Sequence, residues 1–194
     1  NNSYQRNLIN GFLTYYGSIF DCKNSHNFVF TDINNNISFF GPSSGVKNIE
    51  NVETINNIKN IYSNHGAYCI IYGDLNKIKS FGGSSYGGIL PQGLTGEENI
   101  EQVFSTKNKF LALNNAGKAF IWPVNEVSTT STTSTTSSLN SGYIEFSNVT
   151  KVFSNKNHFF LIWTNPLASN QKIISSFPEI TDYELPTLQD DETD

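Results

Sequence analysis

A chain of 194 residues, 37% hydrophobic and 13% aromatic, is long enough for one domain with its own core. Only 15% is charged, the net charge is −5 and no basic run occurs, which argues against a surface that tracks nucleic-acid phosphates. No apolar run reaches the length of a membrane span, and 15 Phe and 9 Tyr set among Asn, Ser, Thr and Gly suit pleated strands and turns better than helices.

The chain opens NNSYQRN, with no Met and no leader pattern, as expected of a mature or trimmed product. FLTYYG (12–17) reads as the tail of a unit that starts earlier. One phrase then recurs: IFDCKNSHNFVF from Ile19, IYSNHGAYCII from Ile61, VFSTKNKFLAL from Val103 and VFSNKNHFFLI from Val152. The steps are 42, 42 and 49 residues, and an aromatic follows each start: Phe20, Tyr62, Phe104 and Phe153. The downstream halves repeat too. TDINNNISFFG (31–41) superposes on GDLNKIKSFGG (73–83) without a gap, and NNAGKAFIWP (114–123) fits with a residue or two deleted.

The second copy shows most clearly how a unit folds. Ile61 and Tyr62 end a short strand, SNHG is a polar break, AYCIIY (67–72) is a buried-strand candidate, GDLNK is turn chemistry and IKSFG (78–82) returns. Strand, tight turn and returning strand make an antiparallel hairpin. The connecting segment 46–60 leaves a choice open. Its apolar residues, Val46, Ile49, Val52, Ile55 and Ile58, recur every three positions as in a short helix, yet their β-branched character opposes one. A hairpin of this size cannot bury both faces, so units must stack, and a step of 42 residues is that of a propeller blade of about 40–45. The fold class expected is therefore all-β: repeated antiparallel hairpin or blade units in a partial or small β-propeller-like arrangement over residues 1–165, then an extended tail over 166–194.

The pattern I/V-F/Y-S-x(4)-F-x-A-L, a turn with Asp or Gly, and an aromatic before Gly resembles the repeat of the regulator of chromosome condensation family. SFGGSSYGG (80–88) is similar to the W-G-x-x-x-Y-G-G ending of divergent members, and the resemblance covers most of residues 19–163. The usual Trp-Gly is replaced by Phe39-Phe40-Gly41, Phe81-Gly82 and Trp122-Pro123. The resemblance implies a propeller that acts through loops on one face, as a guanine-nucleotide exchange or chromatin-binding module in the cytoplasm or nucleus. About four units are fewer than the usual seven-bladed ring. A fragment, an open arc and an assembly completed by self-association all fit that count.

Two segments stand outside the repeat. STTSTTSTTSS (128–138) accounts for the 49-residue step as an insertion in a connecting loop. Such a tract suits a flexible loop or a mucin-like patch, with Thr129, Thr130, Thr132, Thr133, Thr135 and Thr136 as candidate O-glycosylation sites. Sequons at Asn1, Asn36 and Asn148 add candidate N-glycosylation sites. The tail after Trp163 carries Pro166, Pro178 and Pro186 and ends in acids, as an extended, fraying segment does. Its apolar Ile173, Ile174, Phe177, Ile180, Tyr183 and Leu185 would let it lie along a sheet edge, on its own chain or by exchange on a neighbour.

Catalytic constellations do not emerge. His26, His65 and His158 show no ligand spacing, and neither Cys22 nor Cys69 stands beside one as a nucleophile pair would require. The two cysteines permit one disulfide, although Cys69, inside an apolar run, reads better as a buried thiol. Asp32-Ile33-Asn34-Asn35-Asn36 supplies the first oxygens of a calcium loop but lacks its central Gly and distal Glu, and reads as a hairpin turn. FGGSSYGG lacks the Lys of a phosphate loop, and adjacent Glu97 and Glu98 would point to opposite faces of a strand. No cofactor and no metal are expected. The function expected is a non-catalytic β-repeat scaffold for protein interaction or self-assembly, with other copies of itself as partners. An extracellular or cell-surface filament or coat would be its setting; the intracellular propeller role is the alternative.

Overall fold

The computed structural model describes residues 14–15, 24, 27–31, 37–40, 55, 57–95, 97–124, 137–140, 142–165 and 171–178. They form four antiparallel sheets, one per repeat. The first joins β1 (Thr14–Tyr15), β2 (Phe28–Thr31) and β3 (Ile37–Phe40); the second joins β4 (Ile58–Ser63), β5 (Ala67–Tyr72) and β6 (Lys77–Gly82). The third joins β7 (Ile100–Ser105), β8 (Phe110–Asn114) and β9 (Ala119–Trp122), and a further hairpin, β10 (Ser137–Asn140) and β11 (Tyr143–Phe146), adds to the free edge of β9. The fourth joins β12 (Val149–Ser154), β13 (Phe159–Asn165) and β14 (Gln171–Phe177). Among the described residues the only helical elements are short 3-10 turns at Ser84–Tyr86 and Gln92–Leu94. The fold is all-β, a partial β-propeller-like stack of blades.

Central strands show why the units stack. In β5 the side chains of Ala67, Cys69 and Ile71 enter the core shared with the third sheet, while Tyr68 and Ile70 enter the core shared with the first. Both faces of β5 are thus buried, which explains a continuous apolar run where a half-exposed strand would alternate. In β8 the same split sends Phe110 and Ala112 back towards the second sheet and Leu111 forward to the fourth. Each core belongs to two neighbouring units, so stability is shared between nearest neighbours. Tyr68 adds a polar tie, its hydroxyl donating to the Asn27 carbonyl of the first unit.

The three-residue apolar spacing has a local cause other than a helix. In β4, β7 and β12 the register slips between Ile58 and Asn60, Ile100 and Gln102, and Val149 and Lys151. Each slip is a β-bulge, in which two residues oppose one on the partner strand. The extra residue puts Ile58 and Ile61, Ile100 and Val103, and Val149 and Val152 on the buried face, with two exposed residues between. From Ile58 on, the periodic segment is therefore strand; residues 46–54 lie outside the described residues.

An asparagine with positive φ precedes each bulged strand: Asn57 (57°), Asn99 (58°) and Asn148 (59°). Its carbonyl accepts the N–H of Gly73, Asn115 or Thr164 at the far end of the paired strand. Asn tolerates this left-handed conformation better than other residues with a Cβ. We expect Asn99→Ala to lower the unfolding free energy by about 1 kcal/mol and Asn99→Gly to hold it within about 0.5 kcal/mol. Urea titration of both variants checks this, since the Asn99 side chain is exposed and the backbone alone is at issue.

Candidate interaction surfaces

Of the residues singled out in the sequence, several fall outside the described residues: Asn1, Asn36, Thr129, Thr130, Thr132, Thr133, Thr135, Thr136, Ile180, Tyr183 and Leu185, with Cys22, His26 and the turn Asp32–Asn36. Asn148 is described and exposed, at the turn that leads into β12. The Ser/Thr tract ends in structure: Ser137 and Ser138 begin β10 and pair with Phe146 and Glu145. The 49-residue step thus contains an added hairpin, β10–β11.

The start of the tail is β14, which runs along β13 of its own chain from Asn165↔Gln171 to Phe159↔Phe177. Its apolar residues divide between two faces. Ile173 and Phe177 pack on the core between the third and fourth sheets. Ile174 pairs with Ile162 on the opposite face, away from that core.

That outer face of the fourth sheet carries Phe153, Phe160, Ile162 and Ile174, joined by the cross-strand pairs Phe153↔Phe160 and Ile162↔Ile174. Phe153 is 56% exposed and the other three are half-buried. The burial of β13 alternates where that of β5 is continuous, because among the described residues only one of its faces is packed against another sheet. Lys151 and Lys172, both exposed, flank the patch on the same face, opposite Ile162 and Thr164.

The two rims of the stack differ in chemistry. At one rim lie the turns between the first and second strands of each unit. There the His65 N–H donates to the Lys107 carbonyl (3.1 Å) and the Lys107 N–H to the Lys156 carbonyl (2.7 Å). Residues 65, 107 and 156 hold the same place in successive repeats, so one backbone bond per unit strings the turns together. The relay sets Lys107 beside Lys156. Both are exposed lysines on an acidic protein. The signal was present in the repeat numbering, which puts a Lys or His at the third position of each polar break. At the other rim, the Asn76 carbonyl accepts the Ile100 N–H (3.1 Å) and the Gly117 carbonyl the Val149 N–H (2.9 Å), tying each hairpin turn to the next unit. Here the Lys77–Glu98 pair (3.1 Å) and the Asn57 amide on Asp74 (2.7 Å) lie near the surface.

Ionisable groups inside the stack serve packing. Lys109 lies between the third and fourth sheets, donating to the Pro123 carbonyl (2.6 Å) with its ammonium 5.8 Å from the centre of the Phe177 ring; burial lowers its pKa. Cys69 is a free, fully buried thiol, pushed up from 9.0 to about 12 by burial. Among the described residues no three His, Cys, Asp or Glu side chains gather as metal ligands would. The Cys69 shift has a stability consequence. Below pH 9 the thiol is protonated in both states; between pH 9 and about 12 only the unfolded chain gives up the proton, so folding weakens as pH rises. Cys69→Ala should remove that component, seen as a smaller loss of melting temperature from pH 8 to pH about 10.5 than in the parent.

No known protein-family model matches the chain, and no curated protein does. Among solved structures it is similar to the ectodomain of the receptor kinase CR4 from Physcomitrella patens, at 12% identity and TM-score 0.49 over 85% of this chain and 40% of that one. It is also similar to Prp20p from Saccharomyces cerevisiae, whose structure was described with its binding to Gsp1p and histones, at 13% identity and TM-score 0.47 over 87% of this chain and 46% of that one. The chain spans less than half the length of either. The fold rests on the strand pairing itself, and likenesses at these scores add nothing to it. No helix among the described residues is long and apolar enough to cross a membrane.

Proposed function

We propose that this chain is a non-catalytic β-repeat scaffold whose product is a protein–protein contact. One observation carries the reading: the outer face of β12–β14 presents Phe153, Phe160, Ile162 and Ile174 as a continuous apolar patch across three strands. Contiguous exposed apolar surface framed by polar residues is a mark of interaction sites. Lys151 and Lys172 supply that frame. Self-assembly into a filament or coat outside the cell belongs to this reading, with glycans on the Ser/Thr tract and the sequons as its expected decoration. Cross-linking mass spectrometry of the natively purified protein tests it. Links from Lys151 or Lys172 into another protein molecule, a copy or a different chain, are expected; a protein that stays monomeric and unlinked at every concentration would overturn it.

A further inference from the structure

The outer face of the fourth sheet continues a series whose earlier members are covered. By the repeat steps, Phe153, Phe160 and Ile162 hold the places of Phe104, Leu111 and Leu113, and before them of Tyr62, Cys69 and Ile71. Tyr62, Cys69 and Ile71 lie in the core shared with the third sheet, and Phe104, Leu111 and Leu113 in the core shared with the fourth. The contacts of the second sheet with the third and of the third with the fourth bring the same two backbone links, one at each rim. These links use main-chain groups alone, so they do not depend on which side chains stand at the turns. Among the described residues the relay stops at Lys156, whose N–H has no backbone acceptor there.

We propose that a second copy of this chain takes that place, with its first sheet stacked on the fourth sheet of its neighbour. The proposal rests on the protein-interaction reading and names the partner for the same face. The described residues of β2 fit that place. β2 turns Val29, fully buried, towards the second sheet, and turns Phe28, 48% exposed, the other way. Phe28 stands 42 residues before Ile70, which in the second unit packs against the preceding sheet. The contact is therefore the one the chain already makes between its own units, continued across a chain boundary. It joins unlike faces head to tail, so association can extend beyond a dimer.

Sedimentation velocity over concentrations up to about 100 µM, where contacts of micromolar affinity are filled, tests the proposal on the full chain. The parent should associate as concentration rises, and Phe153→Lys and Ile162→Lys should each weaken association about 30-fold, the scale of a central anchor lost. Ile89→Lys, an equally exposed apolar position on the loop between β6 and β7, should leave it unchanged. Hydrogen exchange supplies a second readout: the Lys156 amide should slow on association in the parent and stay fast in Phe153→Lys. Unaltered circular dichroism separates these effects from misfolding. A parent that sediments as a monomer throughout overturns the proposal, as does association that Phe153→Lys leaves intact. Cross-links from Lys151 or Lys172 that land only on a protein of different sequence overturn it too, while leaving the protein-interaction reading in place.

Discussion

Trp122→Ala is expected to cost about 3–5 kcal/mol of unfolding free energy, the range for truncating a large buried aromatic. Trp122 ends β9 with no exposed surface, its ring 5.6 Å from that of Phe110 in the core between the second and third sheets. Its indole N–H also donates to the Gly87 carbonyl at 3.1 Å, tying the loop after β6 to the third unit. Truncation therefore opens a cavity between two units and leaves a carbonyl without its donor. Trp122→Phe should separate the terms, losing the hydrogen bond and part of the volume for about 1–2 kcal/mol. Because this core joins neighbours, the alanine variant should also broaden the urea transition, as the two sides of the stack uncouple. A sharp transition with less than about 1 kcal/mol lost would show that the core repacks around the gap.

Gly88→Ala should be comparably severe, at about 3 kcal/mol or more, through collision rather than cavity. A Cβ at Gly88 would lie 2.3 Å from the Gly82 carbonyl carbon and 2.4 Å from its oxygen. Gly82 cannot retreat, since its own Cα side faces the Gly66 carbonyl oxygen and the Ala67 Cα, where a Cβ would stand at 2.6 and 2.7 Å. Three backbone segments thus meet without side chains, and the Gly83 and Gly88 N–H groups close the loop onto Gly66 and Gly83. Gly73→Ala is the control: its φ is +70°, but nothing lies within 4 Å of the added atom. Only conformational strain of about 1 kcal/mol is expected there. Thermal melts of the two variants rank them, and similar losses would mean that the loop around Gly88 yields.

The second and third units were legible because hydrophobic runs and turn residues agree there. AYCIIY is β5 and IKSFG lies within β6, and the turn between them is where Gly73 and Asn76 adopt positive φ. The bulges were not legible: a three-residue apolar spacing is shared by a helix and a bulged strand, and only the pairing with β5 decides. Asn57, Asn99 and Asn148 carried a signal at constant repeat positions, obscured by the many other asparagines. The hairpin β10–β11 was missed because Ser137–Asn140 has little apolar character of its own and gains strand form from β11. In the tail, the apolar residues named a strand but not its owner; the pairing with β13 supplies it. The outer patch needed the stack to be seen, since Phe153 and Phe160 read in sequence like their buried counterparts.

The relay along the inner turns spans 42 residues from His65 to Lys107 and 49 from Lys107 to Lys156, yet makes the same bond at both steps. Extra length is absorbed at the far edge of the sheet, where β10 and β11 attach. Growth and mutation can accumulate on that periphery while the inner turns keep their pitch, because main-chain groups alone hold it. A change in the length of chain between Trp122 and Val149 would therefore leave unaltered how the third unit meets the fourth.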